Sequence, residues 1–598
     1  MTATIRQAAT IYLFWLLLFA SFRPVFWYWQ PGLNPFFFSD FTHCFLHGLY
    51  MDASLAGYFS MIPLLFCVFR FGFPTSHFRR ILTAFHVFWI PVVLLLYTID
   101  LELFRMWGHR LDAAVVPYLL YPREALASSL SAPLHLLVPV WLLYTFCWVW
   151  IWRKLASNIP ENPKKSWLTA ASFLFLSAAC ILPIRGGIQL APLNQSSVYF
   201  SSNRILNQAA ENPVWVFIQS LLEHPQAEQE NLYGSGNPAE SQALLDSLYR
   251  DKGKTKSVLH QPHPNIILII WESLTSKVSG CGSGVVPSTP NLDRLAKSGL
   301  FFERIYANGD RSEKGLVSIL SAVPPFGKIS LMYQPNLSAG FDFLSLRMKK
   351  LGYTSQYFYG GELEFANMKS YLLNAGYEKL TGKEDFPAES WNSKWGAHDE
   401  MLFDRQLKEA KDLKQPFFHT LFTLSSHEPF EVPGKSNPVG TPIDTLFCRA
   451  HRYTDFCLGN WLAKAQKESW WKNTLVLVLA DHGHTLPGNS GESDQEKFRI
   501  PMVWFGPALK VNGKISRLGS QTDLFATLCR QLGDSVKLPV FSKNLLSDGS
   551  RDFAYYTFRN GACLLDSAGL TRFIDSEKPN KASAFRHAVY RKVFKTHF

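Results

Sequence analysis

Three apolar runs in this chain end on side chains that can hold a metal ion or move a proton. NIILII (265–270) passes through Trp271 to Glu272, and FFHTLFTLSS (417–426) ends on His427. LVLVLA (475–480) delivers Asp481 and His482 together, with His484 two positions on. Two carboxylates and an imidazole suit one divalent cation such as Mn²⁺, Zn²⁺ or Mg²⁺. A cation with an open position could take a hydroxyl, lower its pKa and make it a nucleophile. The candidate hydroxyl is Ser312 in NGDRSEKGL, directly ahead of an expected helix. Serine at such a position is also ordinary helix capping, so at this level both readings stand. The same helix start favours a phosphate or sulfate anion, and Arg311 beside it adds positive charge.

These residues need a frame that brings distant segments to one place. From 264 onward, fully apolar strands alternate with helices, as at 289–299 (TPNLDRLAKSG), 313–323 (EKGLVSILSAV) and about 445–467. That texture predicts a mainly parallel sheet covered on both faces. In such sheets ligands bind beyond the carboxyl ends of the strands, where all three runs place their polar residues.

The 598 residues exceed one ordinary domain, and the texture changes along the chain. Phe alone counts 48 and aromatics make up 15%, with the long apolar runs gathered in the first 190 residues. Five segments are long enough to cross a bilayer: about 8–28, 55–74, 81–99, 133–152 and 167–184. Basic turns with Arg70, Arg79, Arg80, Arg153, Lys154, Lys164 and Lys165 contrast with the 29–54 loop, which has no Lys or Arg. The positive-inside rule then places the N-terminus in the cytoplasm and everything after about 185 outside. The 100–132 loop mixes Arg105, Arg110 and Arg123 with four acids. The organisation expected is a transmembrane domain at 1–190, linker helices at 191–262, a catalytic domain at 263–545 and a C-terminal extension at 546–598. Within the linker, VWVFIQSLLEH has helical periodicity, and a cleavable site in 225–260 is plausible. A net charge of +12 raises the question of nucleic acid, but no basic stripe with interleaved aromatics occurs in the second half. Basic loops and the tail residues Arg586, Arg591, Lys592 and Lys595 account for much of it. Nine scattered cysteines make neither a zinc ribbon nor a disulfide framework.

The order NIILIIWES, TPNLDRLAKSGLFFERIYANGDRSEKGL, LSSHEPF and LADHGH resembles the sulfatase-like branch of the alkaline phosphatase superfamily. With five preceding spans, and with SSVYFSSNRILNQAAENPVW as linker, the chain looks like the lipoteichoic acid synthase and phosphoglycerol transferase family. The resemblance implies a five-helix transmembrane bundle followed by an alkaline phosphatase-type α/β domain. It implies that Glu272, Ser312, Asp481 and His482 bind one metal ion, Mn²⁺ first and Zn²⁺ or Mg²⁺ as alternatives. Ser312 takes the nucleophile's place and His427 that of the histidine near the substrate or leaving group. The implied enzyme sits in a bacterial cytoplasmic membrane with its catalytic domain outside. It moves a phosphoglycerol-type headgroup from a phospholipid donor to a glycan or glycolipid acceptor through a phospho-serine.

One segment departs from that family. Where lipoteichoic acid synthases carry a Trp and an Arg gripping glycerol phosphate, FYGGELEFANMKSYL has Ala366 and Met368. The polar groups left there include Glu362, Glu364, Asn367 and Lys369; substrate contact by Glu362 and Asn367 competes with a solvated loop. His484 is either a substrate contact or a surface loop residue, and Arg499, ahead of another apolar strand, is a candidate anion contact. A phosphoethanolamine transferase, and a sulfatase-like phosphodiesterase or hydrolase, are the rival activities. A true sulfatase is disfavoured because Ser312 lacks the following proline and arginine of the C/S-x-P-x-R motif. A scaffold or sensor with a dead domain is discouraged because every metal position and the hydroxyl are present.

Overall fold

The computed structural model describes residues 2–33, 36–69, 75–116, 132–158, 167–223, 236–251, 253–282, 284, 286–328, 330–434, 437–438, 440–575 and 577–594. Arg70, Arg123, Lys164, Lys165, Lys595 and the 224–235 part of the connector lie outside them. The chain divides into two compact units, Met1–Glu228 and Gln229–Phe598. The division falls inside the segment expected as a linker.

The first unit holds five helices long and apolar enough to cross a membrane: Ala3–Trp29, Phe38–Val68, Arg79–Met106, Leu134–Ser157 and Trp167–Arg185. The second starts well before the expected 55, because its polar residues find partners inside the unit. Asp52 pairs with Arg23 at 2.8 Å and accepts from Asn212 Nδ2 at 2.8 Å, while the Ser54 hydroxyl donates to the Ile184 carbonyl at 2.9 Å. Charges among apolar helices persist only when matched this way. VWVFIQSLLEH lies largely in the helix Pro213–Glu223.

The second unit is built on an eight-stranded sheet, order β4-β3-β5-β1-β6-β7-β2-β8. Its strands are β1 (Asn265–Trp271), β2 (Leu300–Tyr306), β3 (Thr354–Tyr359), β4 (Lys379–Thr381), β5 (Phe417–Phe422), β6 (Thr474–Ala480), β7 (Arg499–Phe505) and β8 (Gly513–Ser520). From β4 through β6 every pairing is parallel; β7 alone runs antiparallel to both of its neighbours. β1, β5 and β6 are buried at every position, which explains their mainly apolar sequences; the polar exceptions inside β5, His419 and Thr420, meet Gln406 and Tyr377. Each large aliphatic side chain sealed there contributes about 1.5–3 kcal/mol relative to exposure.

The remaining strands, β9 (Phe553–Phe558), β10 (Gly561–Asp566) and β11 (Gly569–Ile574), form an antiparallel sheet. The closing helix Lys581–Phe594 packs on it, with Phe585 against Tyr555 at a ring separation of 4.3 Å. His587 Nδ1 on that helix lies 2.8 Å from the Ser241 hydroxyl of the helix Pro238–Leu248, joining the end of the unit to its beginning.

Candidate active site

β1 lies between β5 and β6, and the register explains why their polar ends meet. Trp271 is level with Ala480 and Ile270 with Phe422, so Glu272, Asp481 and Thr423 leave the sheet together. The Glu272 N–H donates to Thr423 Oγ1 at 2.9 Å, and the Ser426 hydroxyl donates to the Glu272 carbonyl at 2.6 Å. The next residue, Ser273, adopts φ 57°. A left-handed non-glycine residue is strained, and here its turn directs the Ser273 N–H onto Asp481 Oδ1 at 2.8 Å.

Glu272, Asp481 and His482 form a group of metal-compatible residues whose ligand atoms lie within 4.8 Å of one another. Asp481 Oδ1 also accepts the His482 N–H at 2.7 Å, while Oδ2 is buried without a hydrogen bond. His482 Nδ1 contacts the Gly483 carbonyl at 2.7 Å, which fixes the ring proton on that nitrogen. Nε2 then faces Glu272 Oε1 at 3.5 Å and Asp481 Oδ2 at 3.6 Å. Burial and the neighbouring Glu272 push Asp481 up to about 8. Burial opposes a charge on His482, but Asp481 and Glu272 outweigh it and raise the imidazole to about 10. Two buried carboxylates, an orphaned oxygen and a lone pair turned toward them fit a divalent cation; the proton on His482 is what such a cation would replace.

Ser312 opens the helix Ser312–Ser321 and is 8% exposed. Arg311 is the residue before the helix, and no side-chain cap bond forms there. The Ser312 hydroxyl instead donates to Glu272 Oε2 at 3.1 Å. Of the two readings open from sequence, the geometry supports the one in which this oxygen belongs to the carboxylate cluster.

Two glycines make that approach possible. A Cβ on Gly315 would sit 1.8 Å from the Asp481 carbonyl oxygen, so only glycine lets this helix lie against the end of β6. A Cβ on Gly483 would meet the Lys497 carbonyl at 1.9 Å. Gln521 secures the same corner: its Nε2 donates to the carbonyls of Ala480 at 2.7 Å and Asp481 at 2.5 Å, and its Oε1 accepts from Asn308 N–H at 2.9 Å.

Positive charge gathers around the Ser312 helix start. Arg311 is exposed, Lys314 pairs with Asp310 at 3.0 Å, and Lys497 is half-buried. Burial pulls the Lys497 ammonium below its ordinary value, against the pull of Asp310 and with the push of Lys314 and Arg311. His427 is half-buried, with Nδ1 at 3.0 Å from the Glu428 carbonyl and its ring edge-on to Trp395 at 4.3 Å.

Other candidates are occupied elsewhere. His484 Nδ1 accepts from the Leu486 N–H at 3.0 Å and its ring stacks on Phe447 at 4.6 Å; burial lowers it to about 3. Arg499 Nη2 reaches the Glu303 carbonyl at 3.2 Å. Glu303 lies three residues before the end of β2, so the guanidinium runs back along that strand rather than out over its end. Glu362 pairs with Lys383 at 3.2 Å. Asn367 is buried at φ 62°, behind Ala366 at φ 52°, and its Nδ2 reaches the Met332 carbonyl at 3.4 Å. Lys497, Trp395, Gln521 and Gly315 carried no signal in the sequence, because loops and helix contacts have no periodicity to reveal them.

Residues 264–534 match the family described as Sulfatase. The chain is 22% identical over 331 residues to the lipoteichoic acid synthase-like YvgJ of Bacillus subtilis, covering 52% of this chain and 53% of that protein. It is 24% identical over 312 residues to a phosphoglycerol transferase I of Xanthomonas campestris, covering 48% and 43%. The chain thus spans about half the length of the curated relatives it matches. A protein in the alkaline phosphatase superfamily from Vibrio parahaemolyticus shares the fold, with a TM-score of 0.54 at 23% identity over 62% of this chain and 99% of that one. Residues 264–534 thus match the Sulfatase family, and the chain is similar to lipoteichoic acid synthase and phosphoglycerol transferase relatives.

Proposed function

We propose that this protein is a membrane-anchored, metal-dependent phosphotransferase that moves a phosphoglycerol-type headgroup from a phospholipid to an extracytoplasmic glycan or lipid acceptor. The observation that carries this reading is the Ser312 hydroxyl, bonded to Glu272 inside the carboxylate and imidazole cluster rather than to its own helix. The relatives' names supply the phosphoglycerol class.

Glu272, Asp481, His482 and Ser312 would hold the cation, Mn²⁺ in the first instance. When bound, it supplies positive charge that favours the ionised Ser312 oxygen and neutralises phosphate charge. Ser312 Oγ, its proton released to solvent, forms a bond to the headgroup phosphorus while the bond from phosphorus to the lipid oxygen breaks. His427 gives that oxygen a proton, and diacylglycerol leaves. The positive end of the Ser312–Ser321 helix, with Arg311 and Lys497, faces the phosphate oxygens. In the second half an acceptor hydroxyl loses its proton to His427 as its oxygen bonds to phosphorus. The Ser312 Oγ–P bond breaks and the ionised serine oxygen is restored for the next turnover.

The five apolar helices support a multi-pass inner-membrane protein, and the basic turns support a placement of this domain outside. The test is incubation of the purified full chain with labelled phosphatidylglycerol and, separately, phosphatidylethanolamine. Metal-dependent diacylglycerol release from phosphatidylglycerol, lost on chelation and restored by Mn²⁺, is expected. Release from phosphatidylethanolamine alone favours the phosphoethanolamine reading, and metal-independent release overturns the mechanism.

A further inference from the structure

Beside the His427 loop lies a cavity of about 320 Å³ that none of the groups assigned above uses. That volume is at the lower end of the roughly 300–1,000 Å³ common for small-molecule sites. Its walls carry His398, Tyr453, Ser390, Asn392, Glu389 and Glu400. Among the described residues no Lys or Arg lines it, in contrast to the cationic surroundings of Ser312.

The buried polar groups in its wall are arranged for a ligand. His398 is 2% exposed, and its Nε2 is buried without a hydrogen bond of normal geometry, although the ring interacts with the Asn392 backbone carbonyl. The Ser425 hydroxyl accepts the Asp399 N–H at 3.1 Å and lies 3.1 Å from His398 Nδ1. With its hydrogen turned to Nδ1, the ring proton falls on Nε2, which is then a donor. The Tyr453 hydroxyl is likewise buried without a partner of normal geometry, with Cys457 beside it. Buried donors left with only these off-geometry partners are uncommon, and a ligand in the cavity would complete them. The carboxylates of Glu389 and Glu400 and the Asn392 amide oxygen supply acceptors around them. An anion would meet two carboxylates; an ammonium would leave the tyrosine and histidine donors unanswered. A sugar hydroxyl both donates and accepts, and a tyrosine ring suits the apolar face of a pyranose.

Residues next to the cavity wall are tied to the His427 loop. Asp399 Oδ1 accepts the Leu424 and Ser425 N–H groups at 2.7 and 3.2 Å, two to three residues before His427. Trp395, three residues before His398, packs on the His427 ring.

The geometry points to this cavity as a polyhydroxyl subsite that holds a neutral sugar of the acceptor beside His427. This rests on the transferase reading for its place in the reaction, but sugar binding itself does not. The test uses the full chain in detergent with maltose and cellobiose as probes and glycerol 3-phosphate as an anionic control. Saturation-transfer NMR on the wild type is expected to show contact with a disaccharide that glycerol 3-phosphate does not displace. Asn392→Trp fills the opening, and Glu400→Gln with Tyr453→Phe removes polar partners while keeping shape. Both are expected to weaken sugar contact and lower transfer to a sugar acceptor by about tenfold. Diacylglycerol release stays unchanged, since the headgroup then passes to water. Unchanged sugar contact in Asn392→Trp overturns the subsite, as does diacylglycerol release that falls in step with transfer. If the wild type releases no diacylglycerol from any donor, the transferase reading fails, and the sugar titration still decides for or against the cavity.

Discussion

Glu272, Asp481 and His482 are at most 8% exposed and hang from the ends of the two central strands β1 and β6. Arg311, Trp395, His427 and Glu362, on the flank, are half-buried or exposed and sit on loops or loop ends. In the first region register, glycine contacts and backbone hydrogen bonds fix each carboxylate and the imidazole, so the proposed chemistry is preorganised. In the second, side chains lean on one another, as His427 on Trp395 and Glu362 on Lys383. The difference teaches where change is tolerated. The strand ends define what reaction is possible, and the loops define what is presented to it.

Substitutions should separate the two regions by size of effect. Ser312→Ala is expected to lower turnover by at least about 10³-fold with metal content and thermal unfolding close to wild type. Undiminished transfer in that variant would place the nucleophile elsewhere. His427→Ala on the flank should cost about 10²–10⁴-fold in turnover, the range of one general acid–base group. A change confined to KM would make His427 a binding group instead.

Gly315→Ala sets helix propensity against contact. Propensity alone favours Ala by about 1 kcal/mol. The Cβ at 1.8 Å from the Asp481 carbonyl should win, displacing the metal ligand, weakening metal affinity by about 10–100-fold and destabilising the domain by about 1–3 kcal/mol. Calorimetry and metal titration of the variant check this; an increase in stability would mean the helix does not press on β6.

The core around the strand ends should also respond to acid. His419 and His451 are lowered from 6.5 to about 3 by burial. His451 Nδ1 accepts the Trp271 indole Nε1–H at 3.2 Å and therefore holds no proton there. A histidine depressed in the folded state binds its proton more readily when unfolded. Stability is therefore whole above 6.5 and falls as pH drops from there toward about 3, at up to about 1.4 kcal/mol per pH unit for each group. Denaturant melts of wild type and His419→Gln over that window should show a shallower decline in the variant. The smallest effect belongs to the flank: Glu362→Gln, breaking a partly exposed pair with Lys383, should cost at most about 1 kcal/mol and alter transfer only a few-fold. A loss as large as that of His427→Ala would move Glu362 into the substrate site.

The legibility of the sequence follows the same division. NIILIIWE, FFHTLFTLSSH and LVLVLADH announced parallel strands and what they deliver, because a doubly buried strand has little choice of residue. The Ser312 hydroxyl remained ambiguous until its direction was seen, since capping and catalysis use the same residue at the same place. Arg499 illustrates the limit: it heads β7, the strand antiparallel to its neighbours, and its guanidinium lies back along β2. The second span's early start was hidden because His43, His47, Asp52 and Ser54 lower its hydropathy, whereas buried partners for Asp52 and Ser54 restore the helix. Lys497, Trp395 and the cavity beside His398 come from segments far apart in sequence, where only folding shows what is adjacent.

The central claim is that Ser312 carries the transferred group. Peptide mass mapping after brief incubation of the full chain with phosphatidylglycerol and Mn²⁺, quenched in acid, tests it most directly. One phosphoglyceryl unit on the peptide containing Ser312, absent in Ser312→Ala, is the result expected. Diacylglycerol released at full rate with that peptide unmodified would contradict it.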